Sequence, residues 1–122
     1  MTKFLSKVIA KDEKIENPFK LGDILCCKWG SGMSLVDFYE VIKVTNSSVG
    51  IRRLEDKIVK SDEWGQSGYK IPVKKKYKKD SDVDGKLFRV NTKYGEPRIY
   101  IDRYYRSAEL WNGKPVLWDT YD

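Results

Sequence analysis

Apolar and polar residues alternate over much of this chain, and the alternation predicts short β-strands. Residues 36–45, VDFYEVIKVT, place successive side chains on opposite faces and are rich in aromatic and β-branched residues. Residues 24–29, ILCCKW, are apolar enough for a strand buried on both faces, and residues 49–54, VGIRRL, alternate as a third strand. Turn sequences at 30–32 and 46–48 separate these runs, so the sequence predicts a three-stranded meander.

Further strands are predicted in the second half of the chain. Residues 86–91, KLFRVN, and 97–102, PRIYID, alternate well and are joined by a short turn sequence. Asn112-Gly113 favours a two-residue type I′ hairpin, because both central positions of that turn need positive φ. Pro115 lacks a backbone donor, so the strand at 116–118 is expected at a sheet edge. Six to eight short strands and little helix predict a mainly β fold, a small antiparallel barrel or curled sheet of the SH3-like kind.

The chain is expected to form one domain with a leading arm. Apolar residues in segment 1–17 fall at helix-like spacing, which indicates a short helix or a loosely packed arm, and Asn17-Pro18 is a turn signal that separates it from the body. Residues 18–122 then form a single β domain. Within it, residues 55–86 hold several glycines and most of the lysines, and they are interpreted as a long basic excursion with at most one or two short strands.

The amino-acid composition excludes several kinds of catalytic and metal site. The sequence has no histidine, which excludes Ser–His and Cys–His nucleophilic systems and most zinc sites. Its two cysteines, Cys26 and Cys27, are adjacent and point to opposite faces of a strand, so we expect two free thiols, one buried and one half-exposed. No cofactor is indicated. An acid–base enzyme using Asp37, Glu40 and Asp102 is the remaining catalytic alternative, and a binding protein is favoured over it.

No membrane or export signal is recognisable. No apolar run approaches the roughly 20 residues that cross a bilayer, and the N-terminal segment lacks the unbroken apolar stretch of a signal peptide. We therefore expect a cytoplasmic protein that does not act at a membrane.

The positive charge is concentrated in one stretch. The chain has a formal net charge of +6, and residues 61–79 contribute six lysines against two acidic residues. Such a concentration is typical of a surface for nucleic acid or an acidic partner, although a solvated loop has the same pattern. Tyr77 stands within the lysine run and could stack on an exposed base. The candidate binding residues of the run are Lys74, Lys75, Lys76, Tyr77, Lys78 and Lys79.

Other candidate contacts lie outside the run. Arginine beside tyrosine suits interfaces and base stacking, and a second basic set meets that description: Arg52 and Arg53, together with Arg103 and Arg106. A binding surface is favoured more strongly if the fold brings this set near the lysine run. Trp64, flanked by acids and glycines, is the best candidate for an exposed aromatic contact.

The aspartates after the lysine run resemble the start of a calcium loop. Asp80, Asp82, Asp84 and Gly85 match the first half of the pattern D-x-D-x-D-G. The twelfth position, which should be a bidentate glutamate, is Asn91, and the flanking segments are not helical in pattern. The segment is therefore interpreted as an aspartate-rich turn with Gly85 in a left-handed conformation, and not as a metal site.

Three segments carry a family resemblance. KLGDILCCKWG, VDFYEVIKVT and LWNGKPV resemble corresponding segments of small uncharacterised proteins from phages and mobile elements of Gram-positive bacteria. The resemblance implies expression inside a bacterial host and, by analogy with short accessory phage proteins, a counter-defence role of the anti-CRISPR kind. Two hypotheses follow: a non-enzymatic protein that binds nucleic acid or a protein–nucleic-acid complex, or an inhibitor that blocks a bacterial defence nuclease by protein–protein contact.

Overall fold

The protein is an antiparallel β-sheet that curls into an open half-barrel. A computed structural model describes residues 17–30, 34–79, 81–93, 95–102 and 106–120. These residues contain no helix, which confirms the predicted mainly β curled sheet. None of their secondary structure therefore provides a helix able to span a bilayer. The predicted N-terminal arm falls almost entirely outside the described residues.

The described residues form eight strands in one sheet. In chain order they are β1 (Ile24–Trp29), β2 (Leu35–Val44), β3 (Ser48–Ser61), β4 (Ser67–Tyr77), β5 (Leu87–Arg89), β6 (Arg98–Tyr100), β7 (Ser107–Leu110) and β8 (Val116–Asp119). The order across the sheet is β6-β7-β1-β2-β3-β4-β8, and β5 pairs with the beginning of β3. Paired backbone hydrogen bonds of 2.7 Å between Ser34 and Asp119 bring β8 back towards β2, which produces the curl.

The central strands bury both of their faces. Successive residues of β2 point to opposite sides, so Tyr39 and Val41 enter one core while Val36 and Phe38 enter the other. The first core consists of Phe19, Leu25, Cys27, Tyr39, Val41, Val49, Ile51, Val83, Ile99 and Ala108. The second consists of Cys26, Val36, Phe38, Leu54, Val116 and Trp118. The predicted β1–β2–β3 meander is present, and its strands are buried on two sides because loops and β8 cover them.

The predicted excursion at 55–86 is wrong for most of its length. β3 continues to Ser61 and β4 returns through the lysine run to Tyr77, so a long hairpin replaces the irregular segment. Gly68 pairs with Ser61 in this ladder. The position requires glycine because a Cβ there would lie 1.9 Å from the Lys60 carbonyl oxygen. A glycine that suggests a loop in the sequence is thus required by close pairing of two strands.

The Asn112-Gly113 hairpin is also wrong. β7 pairs with β1 and β6, whereas β8 pairs with β4, so the segment between them crosses the half-barrel instead of joining neighbours. Gly113 has a φ of +85°, but among the described non-glycine residues only Lys75 has a positive φ, so the type I′ requirement is not met. β8 does end the strand order, as Pro115 predicts.

The runs at 86–91 and 97–102 form strands that do not pair with each other as a hairpin. β5 adds to the beginning of β3, and β6 pairs with β7. A single bridge between Asn91 and Arg98 links the two runs. The prediction had the strands right and their partners wrong, because alternation specifies a face and does not specify a neighbour.

Both cysteines are free and buried. Cys26 is 8% exposed and Cys27 is fully buried, so the expectation of one half-exposed thiol is wrong. Burial raises the pKa of Cys26 to about 11 and the pKa of Cys27 to about 12. Neither thiol is therefore suited to nucleophilic chemistry near neutral pH.

We expect both thiols to react slowly with Ellman's reagent in the native protein. The raised pKa leaves about 100-fold less thiolate at pH 8 than an ordinary thiol has, and burial slows access further. The native reaction should be at least about 100-fold slower than the reaction of the same protein in denaturant, measured by absorbance at pH 8. Rapid release of two equivalents of chromophore from the native protein would contradict this burial.

Candidate nucleic-acid interface

The lysine run is displayed on a bulge of β4. Pro72 lies opposite Asp56 and Tyr77 lies opposite Leu54, so four residues of β4 occupy a stretch in which β3 has only Glu55. Lys74, Lys75 and Lys76 belong to this bulge, which we call the lysine bulge (residues 73–76), and all three are exposed. Extra residues in one strand bend it away from its partner. The lysines are therefore presented by an ordered strand and not by a loose loop.

One lysine of the run points back to the protein. The Lys75 ammonium lies 2.8 Å from Oε2 of Glu40, and the Tyr77 hydroxyl donates to Oε1 of Glu40 at 2.9 Å. Glu40 is 5% exposed, so both contacts satisfy a buried carboxylate. Hydrogen bonding to Glu40 raises the pKa of Lys75 and of Tyr77. These bonds hold the ends of the lysine bulge.

Lys75 adopts a backbone conformation that favours glycine. Its φ is +64°, which costs roughly 1–2 kcal/mol for a residue with a Cβ. The Lys75 ammonium acts against that cost by giving the buried Glu40 carboxylate a counter-charge at 2.8 Å, although the Lys75 side chain itself is 74% exposed. Lys75 is thus a structural anchor of the bulge and does not belong to its free charge.

Tyr77 is held from two directions. Its hydroxyl bonds Glu40, and the Arg52 guanidinium carbon lies 4.2 Å from the centroid of its ring. Arg52 is the cross-strand partner of Glu40, so the three side chains share one face of the sheet. One face of the Tyr77 ring is therefore already covered, which leaves it a smaller role in base stacking than the sequence suggests.

The other four lysines of the run keep free charge. No ion pair joins any of them to a carboxylate within the described part of the chain. These residues, which we call the free lysines, are Lys74, Lys76, Lys78 and Lys79. Within the described residues, one ammonium group of the run is therefore paired with a carboxylate, that of Glu40, and the other four are not.

Two of the free lysines border a cleft together with arginines from the second basic set. The cleft has a volume of about 390 Å³, and its walls carry Lys78, Lys79, Arg53 and Arg106 around Trp29. The backbone amide of Lys78 donates to the Arg53 carbonyl at 2.8 Å, which fixes the end of β4 beside β3. The fold therefore brings part of the second basic set to the lysine run, the arrangement that favours a binding surface.

A buried aspartate positions one wall of the cleft. Asp37 is 4% exposed; its carboxylate pairs with the Arg53 guanidinium and accepts a hydrogen bond of 2.9 Å from Trp29 Nε1. Charge-assisted bonds of this kind fix the orientation of an arginine more firmly than solvent does. Arg53 is thus held at the cleft while part of its side chain remains accessible, with 31% exposure.

Arg106 forms the opposite wall. Its Nε donates to Asp102 and its Nη2 donates to Asp82, both at 2.9 Å, and its guanidinium carbon lies 5.8 Å from the Trp29 ring centroid. The hydrogen bond from Arg106 lowers the pKa of the Asp82 carboxyl. Asp82 follows the lysine run, so the run and Arg106 are connected through this turn.

Two predicted contacts, Trp64 and Arg52, do not reach the cleft. Trp64 is 74% exposed in the turn between β3 and β4, and the step from Leu54 to Ser61 puts roughly 23 Å of strand between it and the bulge. Arg52 points to the opposite face of β3 from Arg53, where it covers Tyr77. Arg103 lies outside the described residues.

The calcium-loop segment forms a turn. Gly85 has a φ of +76°, as the turn interpretation predicts, and Val83 is fully buried in the first core. The Asp82 carboxylate forms an ion pair with Arg106, and Asp80 lies outside the described residues. Among the residues that the structure does describe, no three His, Cys, Asp or Glu side chains cluster as a metal site would need.

Sequence reasoning missed the buried carboxylates that organise this surface. Asp37 and Glu40 were considered from the sequence only as members of a catalytic alternative, but they lie on opposite faces of β2 and each is neutralised by a basic residue of β3 or β4. They do not converge on a common pocket. A signal was present in the sequence, because two acids inside an apolar strand must find partners if the strand is buried on both faces.

Comparison with known proteins gives no further guide. No family model, curated protein or solved structure matches this chain. Its function therefore has to be inferred from its own residues and geometry.

Proposed function

We propose that this chain is a non-enzymatic protein that binds nucleic acid, alone or within a nucleoprotein complex, through the free lysines and the adjoining cleft. The observation that carries the proposal is the set of four ammonium groups at and after the end of β4 that pair with no carboxylate of the described residues, two of which lie beside Arg53 and Arg106. The resemblance to phage and mobile-element proteins suggests an accessory role in a bacterial host.

The spacing of the free lysines supports a polyanionic ligand. Lys74 and Lys79 are five residues apart, which spans at most about 18 Å of backbone. Successive free lysines are only one or two residues apart, at most about 7 Å of backbone, which is less than the Debye length of about 8 Å at physiological salt, so the potentials of neighbouring groups overlap. A ligand with regularly repeated negative charges can neutralise several of them together and release counterions. A monovalent ligand would gain only a fraction of this attraction.

The fixed position of the lysine bulge favours a role in ligand binding over a role in solubility alone. A solvated lysine loop needs no anchoring, yet here a buried glutamate and a strained Lys75 backbone hold the bulge in place. Cooperative placement of charges lowers the ordering cost of binding. The buried, internally neutralised carboxylates and the buried thiols give no support to an acid–base or thiol enzyme.

A second candidate function follows from a different surface. The outer part of the β3–β4 hairpin exposes four large apolar side chains, Ile58, Val59, Trp64 and Tyr69. Exposed apolar and aromatic groups of this kind are typical of protein–protein contacts. An inhibitor of a defence nuclease that acts by protein contact would use this hairpin, and its complex would survive nuclease treatment of a host lysate.

The proposed function is tested by titrating the protein into a fluorescent 20-nucleotide oligothymidylate and the corresponding duplex. If the four free lysines contact phosphates, the logarithm of the affinity should fall with the logarithm of salt concentration with a slope of about −3 for the single strand. Fluorescence anisotropy at 50–300 mM salt measures this slope.

The matched control ligand is an uncharged peptide nucleic acid of the same base sequence. It should bind at least about 100-fold more weakly, because it has no phosphates to release counterions. Equal affinity for the charged and uncharged ligands, or no binding to either nucleic acid at 50 mM salt, would refute the proposed function.

A further inference from the structure

The two carboxylates of the cleft differ in how firmly they are held. Asp37 is buried and engaged by both Trp29 and Arg53, so it belongs to the wall. The Asp82 side chain is 60% exposed and touches the cleft through a single contact, from Arg106 Nη2. Arg106 would keep Asp102 if Asp82 left. One anion in the cleft is therefore permanent and the other is displaceable.

The cleft also has donors without acceptors. Arg53 Nε is buried and has no hydrogen-bond partner within the described structure, although Arg53 lines the cleft. Lys78 and Lys79 line it too and carry no ion pair there. Buried donors are almost always satisfied in folded proteins, so a donor without a partner among the described residues, beside three further cations, favours an anionic acceptor at this cleft.

A phosphate group supplies the acceptor oxygens that these donors lack. It offers several acceptor oxygens on one compact anion, so it can accept from an arginine fork and from lysines at the same time. The Asp82 carboxylate accepts from one cation of the cleft, Arg106, among the described side chains. Because Asp82 is largely solvated, its displacement from Arg106 requires little dehydration or rearrangement.

We propose that the cleft is a phosphate-binding subsite in which Asp82 occupies the anion position until a backbone phosphate displaces it from Arg106. The proposal rests on the nucleic-acid-binding function and makes it more specific: the free lysines attract the strand, and the cleft captures one phosphate. It also explains why an aspartate-rich turn directly follows the lysine run. The turn supplies an internal competitor that lowers affinity for isolated anions.

Two variants with the same charge change separate this role from bulk electrostatics. Asp82→Asn removes the internal competitor, whereas Asp84→Asn neutralises an exposed carboxylate of the same turn that forms no ion pair with the described residues. Each variant is titrated with inorganic phosphate and with the oligothymidylate. The Trp29 indole proton and the Arg106 Nε proton report phosphate binding by NMR, and the dispersion of the spectra confirms folding.

We expect Asp82→Asn to bind inorganic phosphate about 5- to 10-fold more tightly than the wild type, and Asp84→Asn to change affinity less than 2-fold. The Trp29 and Arg106 signals should move during the titration. A third variant, Lys79→Gln, removes an exposed donor without touching the core and should weaken phosphate binding.

The outcomes for the subsite and for the proposed function are distinct. Equal tightening by Asp82→Asn and Asp84→Asn, or absence of phosphate-induced shifts at Trp29 and Arg106 in all variants, overturns the subsite even when oligothymidylate binds. Selective tightening by Asp82→Asn for inorganic phosphate, with no binding of oligothymidylate or duplex, supports the subsite and overturns the nucleic-acid function.

Discussion

Changing Lys74, Lys76, Lys78 and Lys79 together to glutamine should weaken oligothymidylate binding by about 100-fold or more at 100 mM salt. None of these ammonium groups pairs with a carboxylate of the described residues, so each can neutralise a phosphate and release counterions, and the four contributions add. Lys75 is left unchanged because it anchors the bulge through Glu40. Fluorescence anisotropy measures the change in affinity, and thermal unfolding verifies that the variant remains folded.

A control variant with the same loss of charge separates the effect of where the charges lie from the effect of the total charge. Four exposed lysines elsewhere on the described surface, none of them ion-paired there, are changed to glutamine: Lys20, Lys43, Lys60 and Lys114. Both variants fall from a net charge of +6 to +2, since each loses four positive charges. We expect the control to lose less than about 10-fold in affinity, because its charges act only through the general field of the protein.

Replacing Phe38 by alanine should lower the free energy of unfolding by about 3–5 kcal/mol. Phe38 is fully buried at the centre of β2, and its ring meets the Trp111 ring edge-on at 5.9 Å between centroids. Its truncation removes apolar contacts and leaves a cavity in the second core. Because small domains are stable by only about 5–15 kcal/mol, the loss should shift the midpoint of urea unfolding strongly.

The control for this substitution is Leu117→Ala. Leu117 is 52% exposed on β8, so its truncation should change the free energy of unfolding by less than about 1 kcal/mol. If Phe38→Ala shifts the urea midpoint no more than Leu117→Ala does, then the second core does not carry the stability that its burial implies.

Local alternation was sufficient to predict the central strands. β1 was predicted with its observed bounds, and the beginnings of β2 and β3 were predicted to within one residue, because apolar and β-branched side chains there leave few other solutions. The prediction failed for partners and for length. Whether β7 pairs with β8 or with β1 depends on contacts between residues more than eighty positions apart, and such contacts leave no local pattern.

The β3–β4 hairpin shows that glycine and proline can wrongly predict a loop. Gly65 and Gly68, together with Pro72 and five closely spaced lysines, indicate a loop by ordinary sequence rules. Only Gly65 lies in the turn; Gly68 is required by close strand pairing, and Pro72 is paired within the ladder. Lysine also tolerates a strand when one face is open to solvent, so a cationic run need not be irregular.

The candidate site was predicted in part. The lysine run and the two arginines Arg53 and Arg106 were identified from composition, and the fold brings Lys78 and Lys79 beside those arginines. The roles of Glu40 and Asp37 could not be assigned from the sequence, since they depend on which basic residues the register places opposite them. The pairing of Lys75 with Glu40 could not be predicted either, because it depends on the bulge that turns the Lys75 side chain towards the buried Glu40.

The salt dependence of the two quadruple variants shows whether the phosphates are neutralised by the four free lysines. Each phosphate contact contributes about 0.7 to the slope of log affinity against log salt for a single strand. Loss of the free lysines should therefore reduce the magnitude of the wild-type slope by about 3, while the control variant with changes at Lys20, Lys43, Lys60 and Lys114 keeps the wild-type slope within about 1. Equal slopes for the two variants would contradict the assignment of binding to the lysine bulge and the strand end that follows it.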